Sequence, residues 1–184
     1  MDIWMKLAEF SLIETKDLLL RPFLFNDRQE FLEISTAAEP LPFIFPQGLT
    51  VLESDYVFVH DFLKNPLGIW AIEEKKTGTL LGAIRLENLS WADKKADLAY
   101  FIRRESWGQG YATQVVKTIS FLSFQEFGLA ELNIVTHLEN LASQRVAQKA
   151  GFQELGQFKG SDRHSRKTRR YKAFVLRRRD YSDE

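Results

Sequence analysis

The stretch Trp107-Gly108-Gln109-Gly110-Tyr111-Ala112 decides how this chain is read. It sits between an apolar strand pattern and an amphipathic helix pattern. Glycines two positions apart let the backbone turn tightly and pass close to a ligand. The helix that follows points its unpaired N–H groups back at the same spot. Its macrodipole adds on the order of half a positive charge there. Strand, glycine loop and helix N-terminus together make an anion site, most often for phosphate or pyrophosphate. Glycines also serve purely structural turns, so the flanking sequence carries the weight.

Downstream, Ala112, Val115, Val116, Ile119, Leu122 and Phe127 fall at helical spacing and predict a helix over 111–127. Gly128 is placed to end it in a left-handed conformation. A strand is expected over 131–137, then a helix over 140–150 with Asn140 as N-cap and Gly151 closing it. Upstream, the pattern predicts a strand near 10–21, a helix near 27–35 and a helix over 52–63. Between these helices, residues 39–48 hold three prolines and break regular structure. A hairpin is expected from strands 68–74 and 79–87, turning at Lys75-Lys-Thr-Gly78. Asp93-Lys-Lys95 marks a turn before a strand over 96–103. Val175 and Leu176 belong to a last strand that begins near Thr168.

At this point the chain resembles a family. Trp107-Gly-Gln-Gly-Tyr-Ala112 is similar to the acyl-CoA loop of the GNAT superfamily of N-acetyltransferases, with Trp107 in its first position. Asn140-Leu-Ala-Ser143 and Lys149-Ala-Gly-Phe152 resemble the Rim-type ribosomal-protein N-terminal acetyltransferase branch. Glu14-Thr15 with Leu18-Leu-Leu-Arg21-Pro22 resembles its first strand, and Gly82-Ala-Ile-Arg-Leu86 its third. The resemblance implies an α/β (α+β) fold: a mixed, mostly antiparallel twisted sheet with helices on both faces. It implies one acetyltransferase domain over 1–184.

The resemblance also implies a chemistry: acetyl-CoA as co-substrate, no metal, and direct transfer of the acetyl group to a primary amine. In such enzymes the strand before the loop splays from its neighbour and acyl-pantetheine lies in the gap. Backbone groups of Phe101, Ile102 and Arg103 would then bond the thioester carbonyl and pantetheine amides. The loop from Trp107 through Gly108, Gln109, Gly110 and Tyr111 to Ala112 would hold the pyrophosphate, with Arg103, Arg104 or Gln109 helping. Many relatives carry Pro at the Arg104 position. The Tyr that often protonates the leaving thiolate is replaced by Ala147. Ser143 is the branch's alternative donor, and Asn140 its neighbour in the motif or simply a cap. Asp97, on the strand leading to the loop, is the candidate base, with Glu87 and His137 behind it. Strict alternation groups Asp97 with Ala99, Phe101 and Arg103, away from Leu98, Tyr100 and Ile102. A β-bulge in that strand would change the parity.

Composition sets outer bounds. The chain has 184 residues, fitting one domain with a substantial core, and no cysteine, which excludes disulfides and thiolate chemistry. His60, His137 and His164 show no ligand spacing. Nothing resembles a transmembrane span or a signal peptide, so the cytoplasm is the expected location. Net charge is zero, but residues 1–90 hold 14 acidic and 8 basic residues while 159–184 hold 10 basic and 4 acidic. The basic C-terminal hairpin is either a solvated surface or a patch for a ribosome, RNA or an acidic protein. The acceptor is expected to be a protein N-terminus or a small-molecule amine. A non-catalytic CoA-binding domain is the third function class, and the oligomeric state is left between monomer and homodimer.

Overall fold

The computed structural model describes residues 2–37, 41 and 43–182. Five helices and eight strands are described: α1 Ile3–Glu9, β1 Ile13–Glu14, β2 Leu18–Arg21, α2 Arg28–Ser35, α3 Val51–Val57, β3 Ile69–Glu74, β4 Leu80–Ser90, β5 Lys95–Ile102, α4 Tyr111–Gln125, β6 Glu131–His137, α5 Leu141–Lys149, β7 Gln153–Ser161 and β8 Thr168–Arg177. The strands bond in the order β1-β2-β3-β4-β5-β6-β8-β7. β1–β2, β2–β3, β3–β4, β6–β8 and β7–β8 pair antiparallel, and β5–β6 pair parallel. The expected mixed, mostly antiparallel sheet is therefore present.

The chain forms two compact units, one of residues up to Arg85 with Tyr100–Gln109 and one of Leu86–Ala99 with the chain from Gly110 onward. The first unit is built around phenylalanine. Phe23, Phe31, Phe45, Phe58, Phe62 and Phe101 share a buried cluster with Ile34, Leu41, Ala71, Leu80 and Ala83. Phe31 meets Phe45 edge-on at 5.7 Å, and Phe45 meets Phe101 at 5.2 Å. Such edge contacts suit the ring quadrupole. They pin Phe101, and with it the end of β5. Arg21 joins β2 to this unit, donating twice to Asp27 at 2.8 Å and once to Glu73 at 2.6 Å. Both carboxylates push its proton affinity upward, Asp27 most, against the opposing effect of burial.

In the second unit α4 buries Val115, Val116, Ile119, Leu122 and Phe124. Gly128 takes φ +73, as the helix end requires. β6 buries Leu132, Ile134 and Thr136 alternately, the pattern of a strand covered on one face. β6 lies over 131–137 as expected, and α5 starts behind its Asn140 cap.

Two expectations need correction. The strand over 10–21 is two short strands, β1 and β2, turning at Thr15, whose hydroxyl accepts from Leu18 N at 3.1 Å. Helix α1 precedes them; its buried residues Ile3 and Leu7 lie four apart, a signal too short to stand out. The helix over 52–63 is α-helical only to Val57, and Phe58–Leu63 continues as a π-helix. There the Arg85 guanidinium donates to the freed Asp61 carbonyl at 3.3 Å, satisfying a group the wider turn exposes. Of the irregular 39–48 segment, residues 39, 40 and 42 lie outside the described residues, and Phe43–Phe45 form a turn.

Candidate active site

Gly108 and Gly110 stand at φ +77 and +80, in the left-handed region, and a Cβ built on either would meet nothing within 4 Å. Glycine is thus required by the backbone turn, and its open side faces free space. Gly110 is the N-cap of α4, and no side chain caps the helix. Its first turn carries no acidic residue. With no side-chain cap and no acidic residue in its first turn, the positive end of the helix keeps its attraction for an anion. Tyr111 and Ala112 occupy that first turn half-buried, and Gln109 is exposed.

The strand end is held by three contacts within the first unit. Arg103 N donates to Leu81 O on β4 at 2.7 Å. Ile102 O accepts from the Trp107 indole Nε1 at 2.7 Å. Gly82 packs flat against the Phe101 carbonyl, where an added Cβ would also lie 2.8 Å from the carbonyl carbon and 3.1 Å from Ile102 Cα. Of the three backbone positions expected to face acyl-pantetheine, Arg103 therefore spends its N–H on β4. Ile102 has its carbonyl engaged by the Trp107 indole.

The parallel β5–β6 ladder runs Lys95↔Glu131, Ala96↔Leu132 and Asp97↔Asn133. Past Asp97, β5 goes on to Ile102, while β6 runs to His137 on its β8 pairing. Burial in β5 alternates at Ala96 and Leu98, then Phe101 and Ile102 are both buried. Strict parity thus fails after Leu98.

The side chains divide by role. Arg103 is occupied by carboxylates, with Glu30 at 3.4 Å, Glu105 at 3.4 Å and Glu33 at 3.7 Å, and it also donates to Leu80 O at 3.2 Å. It ties the strand end to α2 and has little left for a phosphate. Arg104 is exposed and lies over the Trp107 ring at 4.9 Å, a cation–π arrangement that keeps it beside the loop.

In the second unit, Asn140 Oδ1 accepts from Ser143 N at 3.1 Å, the cap expected of it. Ser143 is half-buried on the first turn of α5, and Ala147, one turn on, is fully buried. Buried Gln144 donates to Leu138 O at 2.8 Å and His137 O at 3.3 Å, fixing α5 to the end of β6. Sequence reasoning passed over Gln144. Asp97 Oδ2 accepts from Asn88 Nδ2 at 2.7 Å. Glu87 Oε2 accepts from Arg163 at 3.2 Å.

His137 shares a sheet face with Tyr171, its β8 partner, their rings 4.9 Å apart. Burial lowers its proton affinity below the ordinary value of 6.5, and Asp162 and Glu139 offset this in part. Asp162 is held down to about 2 by the backbone N–H groups of Ser165 and His164. It therefore stays ionised at neutral pH. A histidine whose proton affinity is lowered by folding makes stability depend on pH. The unfolded chain protonates near 6.5 first. The His137 contribution to stability is complete above that pH, declines as pH falls through it, and levels off below the folded value. His137→Gln should therefore flatten the loss of melting temperature on acidification from about pH 7 to pH 5.5. Parallel wild-type and variant melting curves across that range would exclude it.

Among the described residues no group of three or more His, Cys, Asp or Glu could hold a metal ion, and no helix is long and apolar enough to cross a membrane.

Known proteins share both sequence and fold. The model of the acetyltransferase (GNAT) domain matches residues 17–153, which spans β2, the glycine loop, α4 and α5. The N-acetyltransferase YoaA of Bacillus subtilis, itself uncharacterized, is 27% identical over 151 residues, covering 80% of this chain and 85% of that one. A GNAT-family acetyltransferase from Bacillus anthracis superposes with a TM-score of 0.80 at 19% identity, over 91% of this chain and 99% of that one. A spermidine N-acetyltransferase from Vibrio cholerae, solved with CoA and spermine, superposes at 0.72 with 17% identity, over 91% and 99%. With the uncapped glycine loop falling inside the matched domain, the chain belongs to the GNAT family of acetyl-CoA-dependent N-acetyltransferases.

Proposed function

We propose that this N-acetyltransferase works as one domain on a primary amine, most suitably the α-amine of a protein or peptide N-terminus. The uncapped, acid-free N-terminus of α4 behind two left-handed glycines carries the cofactor part of this reading. The loop amides from Trp107 to Ala112 hold the pyrophosphate, and Arg104 reaches the phosphates from its place on the Trp107 ring. Ile102 bonds the pantetheine once the Trp107 indole leaves its carbonyl.

Transfer has three requirements. The amine must be neutral when it attacks, the thioester oxygen must be stabilised as charge builds on it, and the departing CoA thiolate must be met by a donor. As the N–C bond forms and the C–S bond breaks, the amine proton passes to Asp97. The Ser143 hydroxyl donates a hydrogen bond to the thiolate. With alanine at 147, no tyrosine competes for that task. Ser143→Ala is expected to lower kcat roughly ten- to a thousandfold, the range seen for positioned donors, and to leave KM for acetyl-CoA nearly unchanged. Steady-state kinetics with acetyl-CoA varied checks it. Wild-type kcat would return Ser143 to a structural place in α5.

The acceptor follows from proton affinity. An α-amine near ~8 is roughly a tenth neutral at pH 7, a lysine near ~10.4 well under a thousandth. An enzyme with a single modest base suits the α-amine. The basic hairpin over 159–179 supports an acidic protein or ribosomal partner for the same site. The second reading is a small polyamine, favoured by the shared fold with the spermidine enzyme and by the carboxylates Glu87, Asp97 and Asp162. CoA release with N-terminal peptides, ribosomal proteins, polyamines and aminoglycosides separates them. Turnover on peptides or ribosomal proteins is expected; turnover on small amines alone would reverse the order, and none on any amine would leave a CoA-binding protein.

A further inference from the structure

Asn88 lies inside β4 at φ +49. A non-glycine residue in the left-handed region is uncommon, and within a strand it bends the chain and re-aims the side chain. Asparagine tolerates this conformation because its short amide can bond locally. Here the amide reaches across the turn instead, to Asp97 Oδ2 on β5 at 2.7 Å. The NH2 end must face the carboxylate, since the amide oxygen would meet it with like partial charge. That bond satisfies one carboxylate oxygen of Asp97. Among the described residues Oδ1 has no side-chain or backbone partner. One oxygen is anchored and the other is open, and the anchor is a residue in a conformation that a surface hairpin pair does not require.

We infer that Asn88 is a positioning residue for the transfer reaction, holding Asp97 Oδ2 so that Oδ1 is set to receive the amine proton. This rests on the reading of Asp97 as the base. In the step itself, as the neutral amine forms its N–C bond, an N–H of that nitrogen breaks and an O–H forms at Oδ1. The Asn88 amide keeps its bond to Oδ2, so the carboxyl does not rotate as its charge is lost. The proton then passes to water as the product leaves.

Glycine accepts φ +49 freely, so Asn88→Gly removes the amide without straining the backbone. Its melting temperature is expected to equal or exceed the wild-type value. Turnover is expected to fall about tenfold in kcat, with KM for acetyl-CoA unchanged. The decisive measurement is the cycle with Asp97→Asn. A residue that acts only through Asp97 has no further effect once Asp97 is gone, so Asn88→Gly should leave the Asp97→Asn rate as it is. Equal losses in both backgrounds, or wild-type kcat in Asn88→Gly, would overturn the inference while the base reading stands. Wild-type kcat in Asp97→Asn alone would remove the base reading and this inference with it.

Discussion

Replacing Gly82 with alanine is expected to destabilise the protein by about 3 kcal/mol and to abolish most turnover. The new methyl would collide with the Phe101 carbonyl and come within 3.1 Å of Ile102 Cα. Both obstacles are backbone, so no rotamer change relieves the clash. The only escape is to move the end of β5 away from β4, and Arg103 N then loses its 2.7 Å bond to Leu81 O. The Phe101 ring is held between Phe45 and Phe62, so it resists that movement. For a chain of this size about 3 kcal/mol corresponds to a fall in melting temperature on the order of 10 °C. The backbone positions proposed to bond pantetheine sit on the displaced segment. Turnover should therefore fall further than the residual folded fraction explains. Calorimetry and acetyl-CoA kinetics on the same preparation check both parts. A Gly82→Ala protein with wild-type melting would show that β4 and β5 yield there at little cost.

Gly110→Val is the second large effect. In the wild-type protein, acetyl-CoA at about a hundred times its Kd should add about 2.7 kcal/mol of stability. This would raise the melting temperature by roughly 5–10 °C. Valine at φ +80 is strained whatever the space around it, and its branched side chain occupies the open side where the pyrophosphate would approach. The variant is expected to show no ligand-induced rise and to lose measurable saturation by acetyl-CoA. Because nothing lies within 4 Å of the added Cβ, the ligand-free protein should lose only about 1–2 kcal/mol, the backbone strain alone. A ligand-free melting temperature lowered only by that strain, with no acetyl-CoA shift, therefore identifies a binding defect. An unchanged shift in the variant, or no shift in the wild-type protein at millimolar acetyl-CoA, would overturn the role given to the loop.

Local patterns determined much of this protein. The glycine pair, the stripe from Val115 to Leu122 and the Gly128 stop are short-range signals, and α4 formed where they lie because a helix is settled by neighbours three and four apart. The same holds for β6, where alternation suffices, and for the Asn140 cap, which needs only Ser143 N three residues on. The ordered motifs from Glu14 to Phe152 were enough to name the family.

Contacts between distant residues decided the rest. Arg103 reads as a phosphate ligand in sequence, yet Glu30 and Glu33, some seventy positions earlier, claim its guanidinium. Gly82 reads as an ordinary strand glycine until the Phe101 carbonyl lies against it. Trp107 reads as a motif letter until its indole bonds Ile102 O and carries Arg104 on its ring. The parity of β5 and the left-handed Asn88 depend on strand pairing, and pairing has no local code. Sequence by itself determined the family and the position of the glycine loop before α4, because those rest on residues close together in the chain. Only the tertiary structure decided which groups remain open to a ligand, because a donor or acceptor is available only when no distant partner has taken it.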